Sequence, residues 1–190
     1  MAKKSMAKKR KYQTQKEAGI ILAICGVISG LLSAYVSLPG FELLGAPMLP
    51  PVFFGIVVAL GIYSWEARHP IPMLIVLAGV IVAWWVAYTI ALNLYDDKNK
   101  VALLWVGAVS GFVGAAITSA ALWIASEDFR TSANLIKTVV FGTLAGSLLY
   151  FIEGSGLLPA QHGLAPLFVI WQAGMAGLIG YALAFRPRPS

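Results

Sequence analysis

Six long apolar stretches divide the sequence, and each is close to the length that crosses a lipid bilayer. They cover approximately residues 18–37, 50–66, 72–94, 101–126, 133–152 and 165–185. About 20 helical residues are needed to span the roughly 30 Å of hydrocarbon in a membrane. A chain of 190 residues that is 59% hydrophobic and only 12% charged cannot bury so much apolar surface in water. The sequence therefore predicts an all-α polytopic membrane protein, with a bundle of six transmembrane helices over residues 18–185.

The second stretch, PPVFFGIVVALGIYSW, is the shortest, and a re-entrant segment is the alternative to a full span. The distribution of charge decides between them, because Lys and Arg concentrate in the cytoplasmic loops of membrane proteins. With six spans and a cytoplasmic N-terminus, twelve of the fourteen Lys and Arg residues lie inside. We therefore expect both termini, including the tail at 186–190, in the cytoplasm. The expected location is a cell membrane, most simply a bacterial inner membrane.

The N-terminal arm, residues 1–17, holds seven of the fourteen Lys and Arg residues. The apolar run after it is longer than the core of a signal peptide, so we expect a retained first helix. Each basic residue near a membrane surface gains about 1 kcal/mol from anionic headgroups. The candidates for this lipid contact are Lys8, Lys9, Arg10 and Lys11. A topology signal alone is the simpler reading, and nucleic acid is not an expected partner.

Small residues four apart recur in the apolar stretches, where they let two helix backbones approach closely. In lipid, such packing replaces the hydrophobic drive between helices. The candidate packing glycines are Gly26, Gly30, Gly107, Gly111, Gly142, Gly146, Gly177 and Gly180. The pattern predicts tight helix contacts, but it leaves open which helices meet and whether one strip meets a second subunit.

The two halves of the chain resemble each other faintly. GVISGLLSA at 26–34 resembles GAVSGFVGA at 107–115, and the matches continue in order through the next two stretches. Because three spans is an odd number, a duplicated half would be threaded in the opposite sense, as in many channels and transporters. Glycine-rich apolar segments also match by chance, so two inverted three-helix repeats remain one of two alternatives.

Gln172 is the only strongly polar side chain in the last stretch, LFVIWQAGMAGLIGYALAF. An unpaired amide in lipid costs several kcal/mol, so this side chain must face protein or a wet cavity. It lines a solute path, or it makes an interhelical hydrogen bond that fixes the packing. The candidate partners, which are also the candidate pathway-lining residues, are Ser110, Thr118, Ser119, Thr143, Ser147 and Tyr88.

Ionisable residues are confined to the ends of the stretches, which argues against a proton- or sodium-coupled carrier. One set flanks a single membrane face without the spacing of any catalytic motif: Glu66, Arg68, His69, Glu127, Asp128 and Arg130. The other face carries an acidic rim of solvated loop residues: Glu42, Asp96, Asp97, Glu153 and His162. Cys25 is the only cysteine, so no intramolecular disulfide can form. We expect no catalytic residue, no metal site and no cofactor.

Two functions fit these observations. One is channel- or permease-like passage of a neutral or weakly polar solute along Gln172 and the nearby hydroxyls. The other is a non-catalytic accessory or assembly subunit that packs against a larger membrane complex or forms a homo-oligomer. The apolar loop LPGFELLGAPMLPP is expected to lie flat in the interface or against the bundle, as a lid or simply as packing.

Overall fold

Six helices form the protein in the computed structural model, which describes residues 2–36, 41–43, 46–65, 69–95, 99, 101–154 and 163–184. The helices are α1 (Ala2–Tyr35), α2 (Leu49–Trp65), α3 (Pro70–Leu94), α4 (Ala102–Ala125), α5 (Ser132–Gly146) and α6 (Ala165–Leu183). Five apolar helical segments are long enough to cross a membrane, and one of them is Ser132–Ile152, which continues beyond α5. The helix α2, with 17 residues, is shorter than these five segments. The prediction of an all-α, six-helix membrane bundle is confirmed.

The helices close into a ring in chain order. Each packs against the next one along the chain, α6 packs against α1, and α2 also touches α6. The ring has two ends, which we name by a small hairpin at one of them. The hairpin face is where α1, α3 and α5 finish and α2, α4 and α6 begin, and the opposite face is the other end.

The α2 helix runs the full height of the bundle despite its length. Its first turn contains Pro50 and Pro51, where a missing N–H costs nothing. Near its other end, Gly61 lies against the side chains of Leu22 and Leu183, which belong to the opposite face. Seventeen residues reach about 25 Å, so a slightly tilted or thinned surrounding bilayer suffices. The contacts favour a span over a re-entrant segment.

The apolar loop after α1 folds back on the bundle as a two-stranded hairpin. Strand β1 (Glu42–Leu43) pairs antiparallel with β2 (Ala46–Pro47). The indole Nε1 of Trp84 on α3 donates a hydrogen bond of 2.7 Å to the Pro47 carbonyl. Ala46 and Met48 are buried against the helices. The sequence leaves open whether this loop lies flat in the membrane interface or against the bundle. In the structure, its described residues lie against the bundle.

Polar residues at the opposite face mainly terminate helices. The His69 Nδ1 accepts from the Ile71 N–H at the start of α3, at 3.3 Å. The Arg130 guanidinium donates to the Trp123 and Ile124 carbonyls, at 2.7 and 3.0 Å, and so caps the end of α4. These contacts give His69 and Arg130 structural roles. Glu66 and Arg68, from the same candidate cluster, lie outside the described residues.

Two glycine-lined contacts hold the ring together, and we call them the α1–α6 seam and the α4–α5 seam. In the α1–α6 seam, a methyl group added at Gly26 would lie 2.5 Å from the Gln172 carbonyl oxygen. One added at Gly30 would lie 2.6 Å from the Val169 Cα, and Gly177 and Gly180 face α1 from the other side. Only glycine permits so close a backbone approach at Gly26 and Gly30.

The α4–α5 seam is tighter still. Gly107 and Gly111 on α4 face the backbones of Gly146 and Gly142 on α5, and a methyl at any of the four would overlap its neighbour. All eight glycines singled out in the sequence therefore lie in contacts within this bundle. None of them forms a strip left free for a second subunit.

The glycine pairs do not support the internal duplication. A repeat that matches Gly26 with Gly107 would give them equivalent neighbours. Gly26 packs against α6, whose counterpart would be α3, whereas Gly107 packs against α5. A ring of six consecutive helices has a similar packing order in both halves without any duplication.

One element boundary differs from the sequence expectation. The helix α1 continues without a break through the basic arm to Ala2. The regular part of α5 ends at Gly146, but the apolar helical segment continues to Ile152, the expected end of this span, through a π-helical turn at Tyr150–Gly154. Gly146 packs on Gly107, so this backbone change comes directly after the tight seam.

Candidate ligand cavity

Gln172 lies at the α1–α6 seam and is 3% exposed. Its Oε1 accepts a hydrogen bond from the Ser29 hydroxyl, and its Nε2 donates to the Ser33 hydroxyl at 2.9 Å. Ser33 in turn donates to the Ser29 carbonyl at 2.8 Å. The amide is therefore satisfied mainly by α1. The partners suggested by the sequence, on α3, α4 and α5, are not the ones it uses.

A cavity of about 590 Å³ lies at the centre of the ring, open toward the hairpin face. All six helices contribute lining residues, and Gln172 and Ser33 form part of the wall. Gly107, Gly111 and Gly146 of the α4–α5 seam also line the cavity, and Phe41, Glu42 and Pro47 of the hairpin region complete its wall.

Aromatic rings form much of the cavity wall. Trp84 stacks on Tyr88, with 5.9 Å between ring centroids, and lies 5.6 Å from Phe168 on α6. Trp171 meets Phe54 on α2 edge to face at 5.3 Å. Contacts across three helices fix these rings, so the cavity has a stiff, apolar shape suited to small-molecule binding.

Two hydroxyl groups on α4 line the cavity without a partner. The Oγ of Ser110 and the Oγ1 of Thr118 are buried and make no hydrogen bond within the described part of the chain. Thr118 is completely buried. An unsatisfied buried hydroxyl costs about 1–3 kcal/mol, so these groups call for a bound partner.

The seven polar side chains proposed from sequence divide into two groups. Four of them, Gln172, Ser110, Thr118 and Tyr88, line the cavity. The other three are occupied elsewhere. Ser119 shares a 2.7 Å hydrogen bond with Thr138, whereas Thr143 and Ser147 donate to carbonyls one turn earlier in their own helix, at 2.8 and 3.1 Å.

Glu42 is the one acidic residue among the described lining residues, and no Lys or Arg lines the cavity there. It stands on the hairpin at the mouth and is exposed. The other acidic-rim candidates, Asp96, Asp97, Glu153 and His162, have side chains outside the described part. A cavity without a cation cannot neutralise an anionic ligand, so the lining favours a neutral one.

The cavity is blind toward the opposite face. Below it, the ring centre is filled by buried apolar side chains, among them Val58, Ile62, Leu122, Ile179 and Leu183. These residues belong to three different helices, α2, α4 and α6, and are almost inaccessible. In this state a molecule entering from the hairpin face meets a dry, close-packed barrier.

Among the described residues, no group of three or more His, Cys, Asp or Glu is placed to hold a metal ion. Comparison with known proteins finds no matching family model, no similar curated protein and no similar solved structure.

Proposed function

We propose that this multi-pass membrane protein is a permease for a neutral or weakly polar molecule, with the central cavity as its binding site. The observation that carries the proposal is a cavity of about 590 Å³ at the centre of the ring, lined by all six helices. Small-molecule sites typically measure roughly 300–1,000 Å³ and combine apolar walls with a few polar groups. A structural subunit has no need of such a space.

A permease that changes state fits better than an open channel. The cavity is open at one face and closed by packed side chains at the other, which is one of the two states that alternating access requires. Passage would need a rearrangement of the apolar barrier around Ile62 and Leu122. Among the described residues, no charged group lines the deep part of the cavity, which supports facilitated movement without ion coupling.

The charge distribution supports a bacterial inner membrane, with both termini and the basic arm in the cytoplasm. The cavity would then open toward the outside. In that arrangement, Lys8, Lys9, Arg10 and Lys11 would stand beside anionic headgroups. Their side chains lie outside the part of the chain that the structure describes.

The alternative, an accessory or assembly subunit, would use a small-residue strip to dock a partner. The eight glycines that suggested such strips are all used within the ring. The glycines therefore give no support to a docking surface, whereas the cavity supports a binding role. Together these two observations favour the permease over the docking subunit.

The test is solute flux into vesicles that contain the purified protein, measured by stopped-flow light scattering with glycerol, erythritol and acetamide. Ala87→Phe fills the cavity from α3 and should reduce the flux to that of protein-free vesicles. Ala120→Phe, on the exposed surface of α4, is the matched control and should leave it unchanged.

Gln172→Leu should also abolish flux while the protein elutes as a folded species from gel filtration. Wild-type flux equal to that of empty vesicles for every solute would refute the proposal. So would equal flux in the two phenylalanine variants.

A further inference from the structure

Apart from Glu42, the described rim of the cavity is apolar, and several of its side chains are strongly exposed. Leu92 is 59% exposed and Tyr95 53% exposed, and both line the cavity near the end of α3. Val36 after α1 and Leu164 before α6 also belong to both the rim and the exposed apolar surface. In a membrane, these side chains border hydrocarbon or the interface. A ligand can therefore reach the cavity from the lipid, with its apolar part never leaving an apolar environment.

The deep end of the cavity has the opposite character. Val106, near the start of α4, and Thr118 both line the cavity, and their separation of twelve positions corresponds to about 18 Å along the helix. Thr118 is wholly buried, and its hydroxyl has no partner among the described residues. On α3, Val80 lines the cavity at a similar depth. Of the two unpartnered hydroxyls described in the lining, that of Thr118 therefore sits at the closed end and that of Ser110 nearer the rim, on an otherwise mostly apolar surface.

We propose that the cavity binds a neutral, membrane-soluble amphiphile that enters with its polar end first. A hydroxyl or carbonyl group of the ligand pairs with Thr118, and Ser110 and Gln172 offer further hydrogen bonds higher up. The apolar body lies along the aromatic wall formed by Trp84, Phe168 and Trp171. This inference rests on the proposed function and names the substrate class of the same site.

Glu42 at the mouth of the cavity should make it select neutral amphiphiles over anionic ones. An amphiphile with a carboxylate would bring a second negative charge past Glu42 into a cavity whose described lining has no cation. Burying an unpaired charge there is far costlier than burying a hydroxyl. An alcohol should therefore bind where the fatty acid of equal chain length does not.

Photolabelling tests the class and the orientation together. The probes are two dodecan-1-ol derivatives, one with a diazirine at carbon 3 and one at carbon 11, added to the full-length protein in lipid nanodiscs. The carbon-3 probe should label residues near Val80 and Thr118, and the carbon-11 probe residues near Leu92. Unlabelled dodecan-1-ol should compete, and dodecanoate should not.

Thr118→Val removes the deep hydroxyl at nearly constant shape and should weaken competition by dodecan-1-ol about three- to tenfold, the effect of one hydrogen bond. Thr143→Val, at a hydroxyl outside the cavity, should have no effect. The same label positions for both probes, or equal competition by dodecanoate, would overturn the inference.

The labelling experiment and the flux experiment test different proposals, so one can fail without the other. If glycerol flux is real but labelling in the cavity is absent, the permease stands and the amphiphile does not. If labelling follows the expected pattern in a protein that moves no solute, the cavity is a binding site for the amphiphile and the transport proposal is wrong.

Discussion

At the scale of single residues, Gln172 shows both the reach and the limit of sequence reasoning. An amide in an apolar helix had to face protein, and it does. Its partners, Ser29 and Ser33, are not among the hydroxyls predicted from the sequence, all of which lie in later helices or directly after them. A usable signal existed, since Gly26, Ser29, Gly30 and Ser33 follow the i, i+3, i+4, i+7 spacing of one helix face. Sequence alone could not show that this face meets α6.

A double-mutant cycle should detect the bond between Gln172 and Ser33. Unfolding in SDS would be measured for Gln172→Leu, Ser33→Ala and the double variant in mixed micelles. We expect a coupling free energy of about 0.6–1.7 kcal/mol, the range for interhelical hydrogen bonds in membranes. The control cycle pairs Gln172→Leu with Thr143→Val, which are not in contact, and should give a coupling near zero. Equal coupling in both cycles would remove the specific bond.

Replacing Thr118 should stabilise the protein, whereas removing the bond between Gln172 and Ser33 should destabilise it. Its unpartnered hydroxyl destabilises the ligand-free protein, so Thr118→Val should raise the free energy of unfolding by about 1 kcal/mol. The measurement is again unfolding in SDS, without added amphiphile. A lower stability of the variant would mean that the hydroxyl is satisfied in the membrane and that the cavity has no unmet hydrogen bond at its closed end.

At the scale of elements, helix positions followed from apolar length, but helix ends and the hairpin did not. The length of an apolar run is set by the thickness of the membrane, so the six runs predict the positions of all six helices. The end of the regular part of α5 depends on the backbone beside Gly146, and the hairpin depends on the bond from Trp84 to Pro47. Both are long-range contacts that local composition does not encode. The small-residue pattern predicted close packing, and only the three-dimensional arrangement assigned each glycine to a seam.

Two neighbouring glycines on α4 should differ sharply in their response to alanine. A methyl at Gly111 would overlap the Gly142 carbonyl, whereas one at Gly114 would lie 3.4 Å from the Ala87 Cβ, an ordinary contact. Gly111→Ala should therefore destabilise the protein by about 1–3 kcal/mol through overpacking. Gly114→Ala should be neutral or stabilising, because alanine favours the helix by up to about 1 kcal/mol. Similar thermal midpoints for the two variants would contradict the α4–α5 seam.

At the scale of the whole molecule, the sequence predicted how many helices there are but not what they enclose. Hydropathy does not reveal that the helices close into a ring in chain order or that the ring has a cavity at one end. The cavity is lined by residues of all six helices, among them the seam glycines Gly107 and Gly111 and the aromatic residues Trp84 and Phe168, which only the three-dimensional arrangement brings together. Four of the seven polar residues proposed from the sequence line the cavity. Polar side chains in apolar helices lie on the faces that are buried inside the bundle, and the cavity is also inside the bundle.

The threading makes a testable prediction about the two ends of the chain. In a Cys25→Ala background, single cysteines would be introduced as Lys4→Cys, Asp97→Cys and Ser190→Cys. A membrane-impermeant maleimide applied to intact cells without an outer membrane should label only the Asp97→Cys variant. After the membrane is opened, all three should react, which controls for accessibility. Labelling of Lys4→Cys and Ser190→Cys from opposite sides would exclude an even number of spans.

The first helix is unbroken, so an α1 that stood perpendicular to the membrane would carry the basic arm away from the bilayer. Its 34 residues measure about 50 Å, and the apolar segment Thr14–Tyr35 uses about 33 Å of that length. Continued straight along the membrane normal, the helix would set Lys11 about 5 Å and Lys3 about 16 Å beyond the apolar segment. Electrostatic attraction in physiological salt fades over about 8 Å. The electrostatic attraction between the arm and charged lipid would then come from the residues near Lys11, and residues near Lys3 would lie too far from the surface to contribute.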